Sequence, residues 1–345
     1  MEMKTLSTPA DAESFDLRVG ELSLITEGLY ALRLPMPFRL NHINVYLMDT
    51  PEGWWLIDCG LDTPEARAVW EQVLPDIVAC KRISRIIVTH YHPDHIGLAH
   101  WLEEKTGSAV YITEQEWRTS YRMYYQRESF AQVYAKQCAA LGLPQDRIAD
   151  VVASRDYRRL VQQLPRRVEM LEPNQSLMCG THRWQVLIGR GHAPEHACLW
   201  NEAQGILLAA DQILPNITPN ISVLPWLPEN PLRDYLESLE KFALLPCTLL
   251  LPAHGQPMRR YAQRVRELQQ NHAAQLATLR EFCTIARTPY ECISALFKPD
   301  LPPHQMSFAL GEAAAHLVYL EQCGDVARVN NDEWKFVRNR APLSE

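Results

Sequence analysis

The sequence lacks the features that mark membrane, secreted and repetitive proteins. No run of about 18 uninterrupted apolar residues occurs, which is the length expected of a membrane-spanning helix. Neither an internal repeat nor a low-complexity tract is visible, and residues 1–15 carry Glu2, Asp11 and Glu13 but no apolar segment. We therefore expect one ordinary globular chain without a signal peptide and without a membrane partner.

Paired cysteine motifs are also missing. The nine cysteines are odd in number and scattered, and none is spaced as Cys-x-x-Cys. This pattern argues against a disulfide framework and against a thiolate zinc site. We expect reduced thiols and a cytoplasmic location.

A surplus of positive charge is absent as well. The formal net charge is −7, and residues 258–345 hold eleven basic and ten acidic side chains. A nucleic-acid-binding region normally carries a clear basic surplus. The composition favours a small-molecule substrate over a nucleic-acid partner.

What the chain does have is a dense cluster of metal-binding side chains. The apolar run Ile86–Val88 predicts a buried strand, and His90, His92, Asp94 and His95 follow it within a few residues. Nitrogen and oxygen donors at this density suit a hard or borderline divalent ion. The alternative, a polar turn with exposed histidines, rarely produces such a pattern.

Other predicted strands also end on residues that can bind a metal. The strand near 54–57 ends at Asp58, and the strand near 184–188 is followed by His192 and His196. The strands near 205–210 and 245–251 lead to Asp211 and His254. We expect these strand ends to form one crevice around a metal centre.

The order of predicted elements indicates an α/β layering with two irregular regions. Strands or helices are predicted over 17–34, 44–48, 54–58, 62–80, 83–88, 97–106 and 109–112. A helical insertion follows at about 113–170, and it is either a packing helix pair or a lid that covers the site. We predict a first domain over 1–258. Three helices (259–285, near 289–297 and 305–323) and a hairpin (325–329 with 333–337) are predicted to form a winged-helix-like second domain over 259–345.

Together these motifs resemble the metallo-β-lactamase superfamily. The quoted residues are His90-Tyr91-His92-Pro93-Asp94-His95, Gly191-His192, Asp211 and Ala253-His254-Gly255, with Asn44-Val45-Tyr46-Leu47 and Leu56-Ile57-Asp58-Cys59-Gly60 before them. The helical tail resembles the β-lactamase-like and glyoxalase-II-like branch. The fold implied is an αββα sandwich of the α/β (α+β) class.

The resemblance also implies roles for individual residues. His90, His92 and His192 would hold one metal ion, Asp94, His95 and His254 a second, and Asp211 would bridge both. Asp58 would orient a cluster histidine, unless it is only a capped strand-end acid. His196 would support the ligands from outside or compete with them. His42, in the loop before the first hairpin, borders the site in this fold. Zinc is the expected metal, with iron or manganese as alternatives.

From these roles we expect a dinuclear hydrolase. A metal-bridging hydroxide would attack a small thioester, ester or lactone, and Asp94 would orient the nucleophile or accept its proton. Asp211 argues against hydrolysis of β-lactam antibiotics. The alternatives are a phosphodiesterase or nuclease on the same site, and an iron-loaded redox or signalling protein.

Three further expectations concern the surroundings of the site. In the insertion, basic and aromatic side chains would bind an acidic part of the substrate (Arg118, Tyr121, Arg122, Tyr125 and Arg127). Residues 215–226 would line the substrate entrance, or they are a surface connection. The C-terminal helices would pack on the sandwich or form a homodimer.

Overall fold

The structure, a computed structural model, describes residues 15–156 and 160–339. The side chains of residues 127–129, including the predicted substrate contact Arg127, lie outside this description, as does most of the segment inspected for a signal peptide. Two β-sheets form the centre of the described chain, and a two-stranded hairpin lies near its end.

The first sheet has seven strands in sequence order, antiparallel from β1 to β4 and parallel from β4 to β7. The turn between β3 and β4 is closed by Thr50, whose hydroxyl donates to the carbonyl of Gly53 at 2.6 Å. The strands are β1 Leu22–Thr26, β2 Leu29–Pro35, β3 His42–Thr50, β4 Gly53–Ile57, β5 Ile83–Ile87, β6 Ala109–Thr113 and β7 Val168–Leu171.

The second sheet has five strands in the order β12-β11-β10-β9-β8. Only β11 and β12 are parallel, and the other pairs are antiparallel. The strands are β8 Ser176–Cys179, β9 His182–Gly189, β10 His196–Asn201, β11 Ile206–Ala210 and β12 Leu249–Pro252, and the separate hairpin is β13 Val326–Asn330 with β14 Lys335–Arg338.

Helices cover the outer faces of the sheets. In α1, the Thr63 side chain accepts a hydrogen bond from the backbone N–H of Ala66, and Pro64 occupies the first helical position. The helices are α1 Pro64–Cys80, α2 Pro93–Ile96, α3 Ala99–Thr106, α4 Glu114–Tyr124, α5 Arg127–Ala140, α6 Gln145–Ser154, α7 Pro231–Ala243, α8 Tyr261–Phe282, α9 Pro289–Leu296 and α10 Pro303–Gln322.

The second sheet separates two hydrophobic cores. Along β11, Leu208 faces the core between the sheets, whereas Leu207 and Ala209 face the opposite core. This alternation is the two-residue period of a strand that is buried on both faces. The layered α/β fold expected from the sequence is therefore confirmed.

The outer core joins the insertion to the C-terminal helices. Side chains of α5 and α6 share it with those of α7 to α10. Backbone bonds cross the same junction, because the N–H of Tyr290 donates to the carbonyl of Leu141 at 3.0 Å. The domain boundary after residue 258 stays a prediction, but the helices on its two sides bury one another.

The sequence reading was incomplete in three places. The predicted helical insertion ends in a strand, β7, which extends the first sheet in parallel with β6. The strand β8 and the helix α7 were not predicted. The β7 and β8 strands have only four residues each, which is too short to show a periodic pattern.

Candidate metal centre

The predicted cluster residues meet at one edge of the two sheets. His90 follows β5, His192 follows β9, and His254 follows β12. Asp58 and Asp211 come directly after β4 and β11. Two of these strand ends leave the sheet through a left-handed backbone conformation, since φ is 64° at Asp58 and 43° at Ala210. Strained backbone of this kind is concentrated at functional sites in proteins.

Among the described residues, the cluster divides into two groups that share Asp211. One group is His90, His92, His192 and Asp211, and the other is Asp94, His95, Asp211 and His254. Within each group, one donor atom from every residue lies within 4.8 Å of the others. The structure thus brings together the seven residues predicted as ligands.

The separations between donors fit a shared cation. His192 Nε2 lies 3.4 Å from Asp211 Oδ2, and His254 Nε2 lies 3.2 Å from Asp94 Oδ2 and 3.3 Å from Asp211 Oδ1. Tetrahedral ligands at zinc distances are roughly 3.4 Å apart. The pair His90 Nε2 and His92 Nδ1 is closer, at 2.8 Å.

Unsatisfied polar atoms support the same assignment. In the part of the chain that the structure describes, His95 Nε2, His192 Nε2 and Asp211 Oδ1 are buried without a hydrogen-bond partner. Buried polar atoms normally have partners, and a lone pair without one is costly. Because these three atoms point into the cluster, the side chains fit a divalent metal site.

Acceptors outside the cluster orient three of the histidines. The Nδ1 atom of His192 donates to the carbonyl of Asn220 at 2.9 Å, and that of His254 donates to the carbonyl of His42 at 2.7 Å. His95 Nδ1 lies 2.7 Å from a carboxylate oxygen of Asp58. Each contact places the ring proton on Nδ1 and leaves Nε2 for a metal.

Asp58 and His196 hold the cluster from outside. Asp58 Oδ1 accepts a hydrogen bond from the backbone N–H of Thr89 at 2.8 Å, so the acid fixes both His95 and the residue before His90. His196 is buried, stacks on His90 and accepts a hydrogen bond from the backbone N–H of Asp211. The geometry gives both residues supporting positions, and it leaves His196 outside the two donor groups.

The second group is strongly charged in the metal-free protein. Burial lowers the pKa of His254, but the carboxylates of Asp211 and Asp94 outweigh this effect and raise the pKa to about 10. Likewise, Asp58, Asp94 and Asp211 outweigh burial and raise the pKa of His95. The charges of these histidines lower the pKa of Asp94 to about 2 against the effect of burial.

The first group has the opposite character. Burial lowers the pKa of His90 well below its usual value, and the neighbouring histidines lower it further. Burial and the neighbouring His192 also lower the pKa of His92 well below its usual value. Both rings are therefore neutral near pH 7, which is the form that binds a metal.

Of the predicted substrate residues with described side chains, Arg118, Tyr121 and Arg122 lie on the exposed side of α4, and Tyr125 directly follows this helix. Tyr121 and Tyr125 are half exposed, and their rings are 5.3 Å apart. With Arg118 and Arg122 they line two adjoining grooves of about 300 and 520 Å³. No residue of the metal cluster lines either groove.

Residues 215–226 are more than a surface connection. Asn220 holds His192, as described above, and the N–H of Val223 donates to the carbonyl of Gly311 in α10. The loop therefore links a cluster histidine to the C-terminal helices. Whether it also lines an entrance stays a prediction.

Sequence reasoning missed the contacts that involve backbone atoms. The carbonyl of Asn220 carries no signal in the residue type, although the proximity of His42 to the site was expected. Glu116 was also missed, because its carboxylate accepts hydrogen bonds from backbone N–H groups, of Tyr91 and Glu195, which no residue type indicates.

A buried cluster of histidines and aspartates, built at the edge of two stacked sheets, is characteristic of metal-dependent enzymes. Within that class the chain belongs to the metallo-beta-lactamase superfamily. The model of this superfamily matches residues 39–254, and the model of the metallo-beta-lactamase-like C-terminal domain matches residues 276–339.

Two proteins of known structure are similar to this chain over most of its length. A beta-lactamase domain protein from Burkholderia ambifaria is similar in structure, with a TM-score of 0.84, 33% identity and coverage of 94% of this chain and 95% of that one. A metallo-beta-lactamase family protein from Thermus thermophilus has a TM-score of 0.80 and 30% identity over 92% of this chain and all of its own.

Two curated relatives carry functional names. The probable metallo-hydrolase YqjP of Bacillus subtilis is 27% identical over 318 residues, which is 86% of this chain and 93% of that protein. The atrochrysone carboxyl ACP thioesterase of Aspergillus fumigatus is 22% identical over 240 residues, which is 68% of this chain and 57% of that protein. The chain is accordingly a metal-dependent hydrolase.

Among the described helices, none combines the length and the hydropathy that a membrane-spanning segment requires.

Proposed function

We propose that the protein hydrolyses a small acyl substrate, a thioester, ester or lactone, with two divalent metal ions. The observation that carries this proposal is the position of Asp211, which belongs to both donor groups. One carboxylate shared between two groups is the arrangement expected of a two-metal hydrolase. The name of the Aspergillus thioesterase supports a thioester as the first substrate to test.

His90, His92 and His192 would hold one ion, and Asp94, His95 and His254 the other, with Asp211 between them. All the donors are nitrogen or oxygen, which favours zinc and admits iron or manganese. The ions would supply an activated water and would polarise the carbonyl of the substrate.

The protein's own part in the reaction is orientation and proton transfer. Asp94 would be ionised in the loaded protein, because the positive charge of a bound ion favours the carboxylate form. Its carboxylate is therefore available to accept a hydrogen bond or a proton from the attacking water. Asp58 and Thr89 keep the ring of His95 in place while this occurs.

The exposed face of α4 would bind a part of the substrate that is remote from the acyl carbon. Arg122 and the tyrosine pair present a cation and two aromatic faces in the grooves. This chemistry suits an anionic or aromatic group of a thiol carrier. The nine free cysteines favour a reducing compartment, and we propose a cytoplasmic location.

The test is metal analysis combined with a substrate panel. The purified protein would be loaded with zinc, iron or manganese in turn, and its metal content counted. Thioesters, esters, lactones and phosphodiesters would then be offered to each form. We expect two ions per chain and turnover of an acyl substrate.

Two variants assign that turnover to the site. Asp94→Asn and Asp211→Asn preserve side-chain shape, and each should lower kcat/KM by at least about 100-fold, the upper range for losses around a metal site. Turnover of phosphodiesters alone, or an oxygen-dependent activity of a two-iron form, would overturn the proposal.

A further inference from the structure

The first donor group takes its ligands from both sheets. His90 and His92 follow β5 of the first sheet, whereas His192 follows β9 of the second. These loops must keep a constant separation if three imidazoles are to bind one ion. A buried side chain outside the group, Glu116, contacts both loops.

Glu116 lies in the first turn of α4 and is fully buried. One carboxylate oxygen accepts a hydrogen bond from the backbone N–H of Tyr91 at 2.9 Å, and the other accepts one from the backbone N–H of Glu195 at 2.6 Å. Tyr91 stands between His90 and His92, and Glu195 precedes His196 in the loop that carries His192. A single carboxylate therefore joins the two loops.

Two hydroxyl groups complete the connection. The hydroxyl of Tyr124, two turns further along α4, donates to the carbonyl of Tyr91 at 2.8 Å. The hydroxyl of Thr113, directly before α4, donates to the carbonyl of Glu195 at 2.8 Å. The backbone of both residues is thus held at its N–H and at its carbonyl by the same short segment, residues 113–124.

We propose that Glu116 is a positioning residue that sets the distance between the His90–His92 loop and His192, and so controls metal binding by the first group. The inference rests on the proposed two-ion site. The second group takes no ligand from the loop that carries His192, and its histidines are oriented separately, His95 by Asp58 and His254 by the carbonyl of His42. Loss of Glu116 should therefore weaken one ion more strongly than the other.

The chemistry of the contact requires a carboxylate of this length. Both Glu116 oxygens face N–H donors, so each must be an acceptor. Glutamine would direct its own NH₂ group at one of these N–H groups, and two donors cannot pair. Aspartate is one methylene shorter and would reach only one loop.

The first experiment is a competition titration of metal affinity with a chromophoric chelator, with zinc as the metal. Glu116→Gln and Tyr124→Phe would be compared with Ser120→Ala. Ser120 is a matched control, since it is buried on the same helix but its hydroxyl donates to the carbonyl of Glu116 within α4. We expect one of two ions to bind about 10- to 100-fold more weakly in Glu116→Gln, the range for positioning contacts, and both to bind normally in Ser120→Ala.

The second experiment assigns the affected ion. In a His254→Ala background, which impairs the second group, Glu116→Gln should weaken the ion that is left. In a His92→Ala background, which impairs the first, it should have little effect. Equal losses in both backgrounds would show a general structural role and overturn the proposal.

Circular dichroism of each variant checks that the fold is intact. If Glu116→Gln does not fold, Tyr124→Phe carries the test, because it keeps the aromatic packing and removes only the hydroxyl. Normal binding of both ions by the folded variants would overturn the inference. A wild-type protein that binds two ions but hydrolyses none of the offered substrates would refute the proposed function and leave the role of Glu116 standing.

Discussion

The Nδ1 atom of His95 lies 2.7 Å from Oδ2 of Asp58, and both side chains are almost completely buried. Asp58 stands after β4 and His95 stands after β5, so the contact ties two neighbouring parallel strand ends together. It also turns Nε2 of His95 towards Asp94 and Asp211, at 3.6 and 3.7 Å. The orientation of one ligand thus depends on an acid that binds no metal itself.

The first prediction concerns this acid. Asp58→Asn should lower the metal affinity of the second group by about 10- to 100-fold, because the substitution removes the charge that orients His95. Asparagine tolerates the positive φ of 64° at this position, so backbone strain is not the cause. Chelator competition measures the loss. Asp62→Asn is the control, since Asp62 pairs with Arg67 outside the cluster; an equal loss there would contradict the prediction.

The second prediction concerns His196. His196→Phe keeps an aromatic ring against His90 but leaves the backbone N–H of Asp211 without its acceptor. An unpaired buried N–H costs about 1–3 kcal/mol. Denaturant unfolding of the metal-free variant should show a loss of that size. Unchanged stability would mean that this hydrogen bond contributes nothing to the position of Asp211.

The third prediction concerns pH. The pKa of His254 is raised to about 10 in the metal-free protein, so its ring is protonated near pH 7. A metal ion must displace that proton, and affinity should therefore rise with pH, by about tenfold per unit for each proton released. Calorimetric titration in two buffers of different ionisation enthalpy counts the protons. His90 and His92 should release none, since their pKa values are low. Metal affinity independent of pH between about pH 6 and 9 would refute this expectation.

The fourth prediction concerns the support of His192 by the C-terminal helix. A Cβ atom on Gly311 of α10 would lie 2.6 Å from the hydroxyl oxygen of Ser222, in the loop that orients His192. Gly311→Ala should therefore lower stability and weaken metal binding by the first group, although alanine favours a helix.

The control for Gly311→Ala is a double variant that also carries Ser222→Gly. Ser222→Gly removes the atoms that clash, so the pair should recover part of the loss seen in Gly311→Ala alone. Thermal unfolding and chelator competition report the two effects separately. If the losses of the two single variants simply add in the double variant, the contact between α10 and the loop does not transmit the change.

The ligands could be predicted from the sequence because each follows an apolar run that predicts a buried strand. Ile86 and Ile87 predict the strand before His90, and residues 249–251, all leucine, predict the strand before His254. The strands β7 and β8 could not be predicted from the sequence, since these short strands form by pairing with longer neighbours.

The contacts around the ligands were harder to predict for a different reason. Glu116 is separated from Glu195 by most of the insertion and three strands, and it binds backbone atoms, so neither residue type indicates the pair. The groove residues at α4 were recognised as a set because the insertion is rich in arginine and tyrosine. Composition does not tell which face of the helix is buried, and in the structure Glu116 and Tyr124 face the metal loop while Tyr121 is exposed.

The shared outer core has a consequence for chimeric proteins. Residues of α5 and α6 pack in one core with those of α8 to α10, on the face of the second sheet that Leu207 and Ala209 form. An exchange of the C-terminal helices with a relative would therefore bring together two surfaces that had not been selected as a pair. We expect such hybrids to fold only when the insertion is exchanged along with the tail, so that the two segments are inherited as one unit although the whole second sheet lies between them in the chain.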